Sequence, residues 1–195
     1  MKPLPRFSVA LAVAMFALTA NAQTQCVMCG SSQDRWEVKT GCDDAAANLR
    51  INLSKAIDTT VAEMRKLEAP DHLQNDATRH QGVEDQVFVV EATLTTFFTE
   101  ADHDRHLVLR DGGVTMIAES TDPDCVSAHA PLRDFIVSAR KSIDDHFNGH
   151  KSQTVVNERV RVWGIGFFDV PHGKPRGVAP NRIELHPILK IEFLP

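Results

Sequence analysis

The hydrophobic and polar pattern of the chain changes after residue 85. Residues 23–85 are mostly polar and give one helical signal, in "TTVAEMRKLEAP" (59–70), where Thr60 and Glu63 fit a capping box. Residues 86–195 instead alternate β-branched and aromatic runs with short polar turns. The pattern predicts a polar N-terminal extension with one short helix, followed by a β-rich domain.

The β-rich part contains five predicted strands and one predicted helix. The strands are expected over residues 86–100, 105–110, 114–120, 158–170 and 181–193. Between the third and fourth strands, "APLRDFIVSARKSIDDHF" repeats apolar residues at helical spacing. The order β-β-β-α-β-β predicts a mainly β fold with helices (α+β), a small OB-fold-like five-stranded barrel. Gly164 and Gly166 inside the fourth strand favour the strong bend of a barrel, and a generic α+β sheet is the alternative.

Two connections of such a barrel flank its binding face, those between strands one and two and between strands four and five. Here they are "TEADHD" (99–104) and "VPHGKPRGVAP" (170–180). By analogy with the fold alone, a site is expected between them.

Histidines and carboxylates are concentrated on and beside these two loops. His106 alternates with Leu107, and His186 alternates with Leu185, so the leucines are expected in the core and the histidines on the outward face, together with Glu184. Imidazole and carboxylate groups on neighbouring loops are suitable metal ligands. The candidate ligand-binding residues are Asp104, His106, His172, Arg176, Asn181, Glu184 and His186, and the candidate metal ligands are Asp102, Asp104, His172 and His186.

Each of these candidates has a simpler alternative. Polar turns often carry Asp and His without a ligand, and motifs such as H-E-x-x-H are absent from the sequence. Asn181 follows a proline and is typical of an Asx-turn. Lys174, Arg176 and Arg182 suit a phosphate or carboxylate, or simply a solvated loop.

The first 22 residues have the pattern of a signal peptide. Lys2 and Arg6 precede an apolar run over 7–20, and Ala20-Asn21-Ala22 fits a cleavage site. We therefore expect a secreted or periplasmic protein with no stable membrane insertion after processing. An uncleaved membrane anchor is the alternative.

The net charge argues against one class of partner. The chain has 21 basic and 26 acidic residues and a formal net charge of −5. Loss of Lys2 and Arg6 would leave 19 basic residues and a charge of about −7. Nucleic acid is therefore a less favoured partner than a small anionic molecule.

The chain contains four cysteines, Cys26, Cys29, Cys42 and Cys125. Export favours disulfide bonds, and four cysteines allow three pairings. The C-x-x-C spacing of "CVMCG" leaves zinc and redox roles as alternatives.

Three segments carry a resemblance to a widespread group of uncharacterised exported bacterial proteins. They are "RWEVKTG" (35–41), "HLVLRDGGVTMIAE" (106–119) and "GIGFFDVPHGKPRGVAPNRIELHP" (164–187). In similar proteins the last segment is nearer HGQxGVAPNGIELHP, and Lys174, Pro175, Arg176 and Arg182 depart from it. The resemblance implies the fold and the exported compartment, and it implies no activity.

Together these features predict an exported OB-fold-like binding module with a loop-rimmed polar site for an anionic or metal-bridged ligand, and a divalent metal ion is the candidate cofactor. The first alternative is a metal-dependent phosphodiesterase or nuclease on the same barrel. It would use Asp102, Asp104, Glu119 and Arg176 around a cation. The second alternative is a structural interaction protein of the envelope.

Overall fold

The structure, a computed structural model, describes residues 26–30, 34–152, 155–171, 173 and 175–195. The predicted signal peptide over 1–22, His172 and Lys174 lie outside the described residues. Within the described part of the chain, no helix combines the length and apolar character that a membrane crossing requires.

Six strands form one sheet, and five of them close into a barrel. The strands are β1 (Ile57–Thr59), β2 (Val87–Thr99), β3 (Arg105–Asp111), β4 (Val114–Ser120), β5 (Glu158–Phe168) and β6 (Ile183–Phe193). Their order is β1-β2-β3-β4-β6-β5, and pairing of β2 with β5 closes the ring. The β4–β6 pair is parallel, whereas the other barrel pairs are antiparallel. The predicted OB-fold-like barrel is confirmed.

Local sequence signals account for the bends of the barrel. Gly112 and Gly113 adopt positive φ in the tight β3–β4 turn, which the Asp-Gly-Gly sequence predicts. The register of β5 on β6 shifts around Gly164 and Gly166. A Cβ atom on Gly164 would lie 2.8 Å from the Leu185 Cβ, so the glycine permits the close approach of the two strands.

The predicted helix between the third and fourth barrel strands is α3 (Arg133–His146). Its apolar face is buried, with Ile136, Ala139 and Ile143 almost fully inaccessible to solvent. The chain leaves the helix through residues 148 and 149, both at positive φ, as the Asn-Gly sequence predicts. The helix therefore packs against the barrel as its hydrophobic pattern indicates.

Strand parity predicted the core leucines correctly, since Leu107 and Leu185 are both fully buried. Leu107→Ala is expected to lower the free energy of unfolding by about 2–5 kcal/mol, because it leaves a cavity in a closed barrel. Val155→Ala, at a side chain 78% exposed, should change stability by less than about 0.5 kcal/mol. Urea denaturation of the wild type and the two variants measures both changes in the free energy of unfolding. Equal losses for the two variants would contradict this assignment of the core.

The N-terminal extension contains more structure than the predicted short helix. That helix is present as α2 (Val61–Met64), and the Thr60 hydroxyl accepts a hydrogen bond from the Glu63 N–H at 3.1 Å. A second helix, α1 (Trp36–Thr40), was not predicted. Its five residues are too few to show a helical hydrophobic period, but Trp36 and Val38 are buried. Gly41, at φ 66°, ends α1, and a Cβ there would lie 2.4 Å from Leu132.

Two disulfide bonds hold the extension. They join Cys26 to Cys42 and Cys29 to Cys125, and no described cysteine is free. The prediction of disulfides is confirmed. Because the two cysteines of the C-x-x-C motif bond to different partners, the zinc and redox interpretations of this motif are wrong for the structure described.

A fully buried ion pair anchors α1 to the barrel. The Arg35 guanidinium donates to both carboxylate oxygens of Glu84, at 2.6 and 2.5 Å, and to the Phe168 carbonyl at 2.8 Å. Glu84 in turn accepts from the backbone N–H groups of Phe168 and His80. The pair thereby joins the start of α1, the segment before β2 and the end of β5.

Candidate functional site

Three adjacent barrel strands bring four ionisable side chains together. His106 on β3 pairs in register with Glu119 on β4, and Ile117 on β4 pairs with Glu184 on β6. His186 lies two residues further along β6. Side chains alternate along a strand, so these four lie on the face opposite to the core leucines.

Three of these side chains, His106, Glu184 and His186, were expected to be exposed, and this expectation is wrong. His106, Glu119, Glu184 and His186 are between 0% and 4% exposed. The parity assignment itself holds, since they do not enter the apolar core. Other parts of the chain cover the outer face, namely α1, the loop before β3 and the loop before β6. A buried polar cluster therefore occupies the face that was predicted to be open.

The ring of His106 is fixed on both edges. Its Nε2 lies 2.9 Å from the Arg176 carbonyl oxygen, which can only accept, so Nε2 carries a proton. Its Nδ1 lies 2.8 Å from Glu100 Oε1 and 3.0 Å from Glu119 Oε1. The ring also stacks on Phe98. Burial alone would lower the pKa of His106, but the bonds to Glu100 and Glu119 outweigh it and raise the pKa to about 10.

His186 lies deeper, between two carboxylates. Its Nδ1 is 3.0 Å from Glu119 Oε2, and its Nε2 is 3.2 Å from Asp104 Oδ2 and 3.3 Å from the Thr121 hydroxyl. Burial opposes its charge, but Asp104 and Glu119 raise the pKa of His186 to about 9. Burial in turn raises the pKa of Asp104, and the attraction of His186 offsets this only in part.

Lys39 on α1 also reaches this cluster, and no sequence pattern predicted its position there. Its Nζ lies 3.6 Å from Asp102 Oδ2 and 3.7 Å from Glu119 Oε2, and the side chain is 8% exposed. Burial lowers the pKa of Lys39, but Glu119, Asp104 and Asp102 together raise it well above its ordinary value. Lys39 therefore adds a fixed positive charge to the cluster.

The pKa values of two carboxylates in the cluster are shifted in opposite directions. Burial raises the pKa of Glu119, yet Lys39, His106 and His186 outweigh it, so this pKa lies well below the ordinary value. For Glu184, burial and the charge of Glu119 both raise the pKa, which lies well above the ordinary value. The surroundings thus favour the charged form of Glu119 and the neutral form of Glu184.

The space inside the cluster is small. A cavity of about 10 Å³, lined by Glu100, His106, Glu119 and Glu184 among others, has room for one water molecule or one ion. Two groups of ligand atoms lie within 4.8 Å of one another, Glu100–His106–Glu119 and Asp104–Glu119–His186. Both contain carboxylate oxygens and an imidazole nitrogen, and they share Glu119. The arrangement suits a small divalent cation.

The structure brings only some of the predicted residues into this cluster. Asp102, Asp104, His106, Glu184 and His186 belong to it, whereas Arg176 contributes only its carbonyl. The Arg176 guanidinium donates to the Thr96 hydroxyl at 3.3 Å, beside an open groove of about 260 Å³. Glu100 and Lys39 belong to the cluster and were not among the predicted site residues.

Asn181 serves the fold in the structure. Its amide nitrogen donates to the carbonyls of Met64 and Leu67 at 3.0 and 2.9 Å, so it fastens the end of α2 to the barrel. Its side-chain oxygen accepts from the Ile183 N–H at 3.4 Å, in the manner of an Asx-turn.

Comparisons with known proteins add nothing about activity. No protein-family model and no curated protein matches this chain. Among solved structures, it is similar to a protein from Leishmania major Friedlin described as an aspartyl-tRNA synthetase, with 17% identity and a TM-score of 0.42. That match covers 74% of this chain but only 22% of the synthetase.

A second similar structure is an OBody bound to hen egg-white lysozyme. It shares 10% identity and has a TM-score of 0.35, and the match covers 60% of this chain and 95% of the OBody. At these identities and TM-scores, neither likeness indicates what this chain binds or does.

Proposed function

We propose that this protein is an exported OB-fold-like binding module that holds a divalent cation between Glu100, His106 and Glu119. One observation carries the proposal: the Nε2–H of His106 bonds to the Arg176 carbonyl and so directs Nδ1 at two carboxylate oxygens. Histidines that bind metals are commonly oriented by such a bond from their other ring nitrogen to a carbonyl, and a bound cation would displace the proton that Glu100 and Glu119 otherwise hold on Nδ1.

The ligand set and the space favour particular ions. Two carboxylates and one imidazole suit Zn²⁺ or Mn²⁺ better than Ca²⁺, which prefers six to eight oxygen ligands. The cavity of about 10 Å³ matches a single small ion. Glu100 is 28% exposed, so an ion can reach the group from solvent beside this carboxylate.

The exported compartment is part of the proposal. The two disulfides fit a protein that folds outside the reducing cytoplasm. The signal-peptide pattern of residues 1–22 supports the same compartment.

The enzymatic alternative has less support. A phosphodiesterase needs a cation beside a cationic side chain that stabilises the developing phosphate charge. The Arg176 guanidinium instead bonds to Thr96, and the cavity between the carboxylates does not have room for a phosphate group. The alternative of an envelope interaction protein has little support either, because the large exposed apolar side chains of the described residues come from separate segments.

A second candidate function, binding of a small anionic molecule, rests on the groove beside Arg176. Thr95, Thr96 and Thr115 line this groove, and the Thr96 hydroxyl lies 3.3 Å from the guanidinium, whereas the Thr95 hydroxyl donates to the Val108 carbonyl. An arginine with neighbouring hydroxyls is suited to a carboxylate or phosphate. Loss of inorganic phosphate binding in Arg176→Ala, with Zn²⁺ binding retained, would separate this function from the metal site.

Isothermal titration of the mature protein with ZnCl₂ and MnCl₂ tests the metal-binding function. The wild type should bind Zn²⁺ or Mn²⁺ in the Glu100–His106–Glu119 group. Glu100→Gln keeps the shape of the side chain but removes a charged ligand, so we expect affinity to fall about 100-fold or more.

Glu91→Gln is the matched control, since Glu91 is 39% exposed on β2 and pairs with the surface residues Arg159 and Arg161. It should bind the ion as the wild type does. A wild type that takes up neither ion, or a Glu100→Gln variant with unchanged affinity, would refute the proposed function.

A further inference from the structure

Glu119 has different neighbours at its two oxygens. Oε1 lies 3.0 Å from His106, within the group assigned to the cation above. Oε2 lies 3.0 Å from His186 and 3.7 Å from the Lys39 ammonium. One carboxylate therefore connects two separate groups of ligand atoms.

The deeper group consists of Asp104, Glu119 and His186, and it contains buried polar atoms that lack hydrogen-bond geometry. Asp104 Oδ2 and His186 Nδ1 are completely buried, and their contacts with His186 Nε2 at 3.2 Å and with Glu119 Oε2 at 3.0 Å do not have the alignment of hydrogen bonds. Leaving buried polar groups in this state is costly, and most buried groups in folded proteins are satisfied. A bound cation would satisfy such atoms directly.

Lys39 lies beside this group and contacts one of its three members, Glu119, without bonding closely to it. Its ammonium lies 3.6 Å from Asp102 and 3.7 Å from Glu119, beyond the 2.7–3.2 Å range that is typical of N–H···O bonds. Its attraction to the surrounding carboxylates holds the charge in the cluster. The ammonium therefore supplies a positive charge beside the carboxylates, but it does not coordinate them closely as a metal ion would.

The position of Lys39 is built into the fold. Five residues do not form a stable helix alone, and α1 is held by the Arg35–Glu84 pair and by the Cys26–Cys42 bond just beyond its end. Trp36 and Thr40, on either side of Lys39, are buried. The folded extension therefore holds the Lys39 ammonium in one position.

We propose that Asp104, Glu119 and His186 form a second divalent-cation site, from which the neighbouring Lys39 ammonium excludes an ion by its charge, so that the wild type takes up one ion instead of two. The count of one ion rests on the proposed function, whereas the exclusion of an ion from the deeper group by Lys39 does not.

The test is the content of bound Mn²⁺ or Zn²⁺ after equilibration and desalting, measured by elemental mass spectrometry. Lys39→Met keeps the length of the side chain and removes the charge. We expect one ion per chain for the wild type and two for Lys39→Met. Adding His186→Gln to Lys39→Met should return the content to one. Lys141→Met, at an exposed lysine, is the control and should match the wild type.

The outcomes separate the two proposals. No ion in the wild type and one in Lys39→Met would support the role of Lys39 and refute the proposed function. Equal ion content in folded wild type and Lys39→Met would overturn the inference. If Lys39→Met is unfolded without ions, excess Mn²⁺ or Zn²⁺ must refold it by mass action, and a chain that stays unfolded would overturn the inference as well.

Discussion

Arg35→Ala is expected to lower the free energy of unfolding by about 3–5 kcal/mol, because it leaves the Glu84 carboxylate buried without its partner. The side chains of Arg35 and Glu84 are both 0% exposed, and the guanidinium also donates to the carbonyls of Ala77, Thr78 and Phe168. The change removes every one of these bonds, and it loosens the start of α1.

Arg159→Ala provides the matched control for this prediction. Arg159 lies 2.6 Å from Glu91, but its side chain is 48% exposed, and surface pairs of this kind contribute about 0–1 kcal/mol. Urea denaturation of the wild type and both variants measures the difference. Similar losses for Arg35→Ala and Arg159→Ala would mean that the buried pair does not anchor the extension.

Removal of the Cys29–Cys125 bond is expected to have the second large effect. Its cysteines are 96 residues apart, whereas Cys26 and Cys42 are 16 apart. Because a disulfide restricts the unfolded chain more when it closes a longer loop, the double serine variant at 29 and 125 should lose about 4–5 kcal/mol. The double serine variant at 26 and 42 should lose about 3 kcal/mol.

Denaturant melts of the two double variants, each compared with the wild type, check this order. Intact mass after alkylation, with and without reduction, verifies that the remaining bond has formed in each variant. A larger loss for the variant at 26 and 42 would contradict the argument from loop length.

The barrel could be predicted because its signals are local. The alternation of β2, the Asp-Gly-Gly turn and the helical period of α3 each depend on a few consecutive residues. The predicted strand limits differ from the observed ones by only a residue or two at most ends, for example 114–120 in both cases for β4. The order of these elements was then sufficient to indicate the OB-like arrangement.

The burial of the candidate site could not be predicted in the same way. Alternation placed His106 and His186 opposite the core, and they do lie there. However, alternation describes only the two faces of a strand and says nothing about segments that pack on the outer one. Here α1 and the two loops cover that face, and no local pattern in residues 23–85 indicated it.

The missed residues share a physical cause. Arg35 meets Glu84 across 49 residues, and Lys39 meets Glu119 across a longer stretch of chain. Partners of this kind depend on tertiary packing. A lysine on a five-residue helix therefore has the same sequence signature as a solvated lysine.

The position of a bound ion tests the central claim most directly. An anomalous difference map from crystals equilibrated with Mn²⁺ would locate the ion relative to each ligand atom. We predict a peak about 2.0–2.3 Å from the His106 Nδ1 and from oxygens of Glu100 and Glu119. A peak only at other residues, or an ordered Glu100–His106–Glu119 group without a peak, would contradict the account.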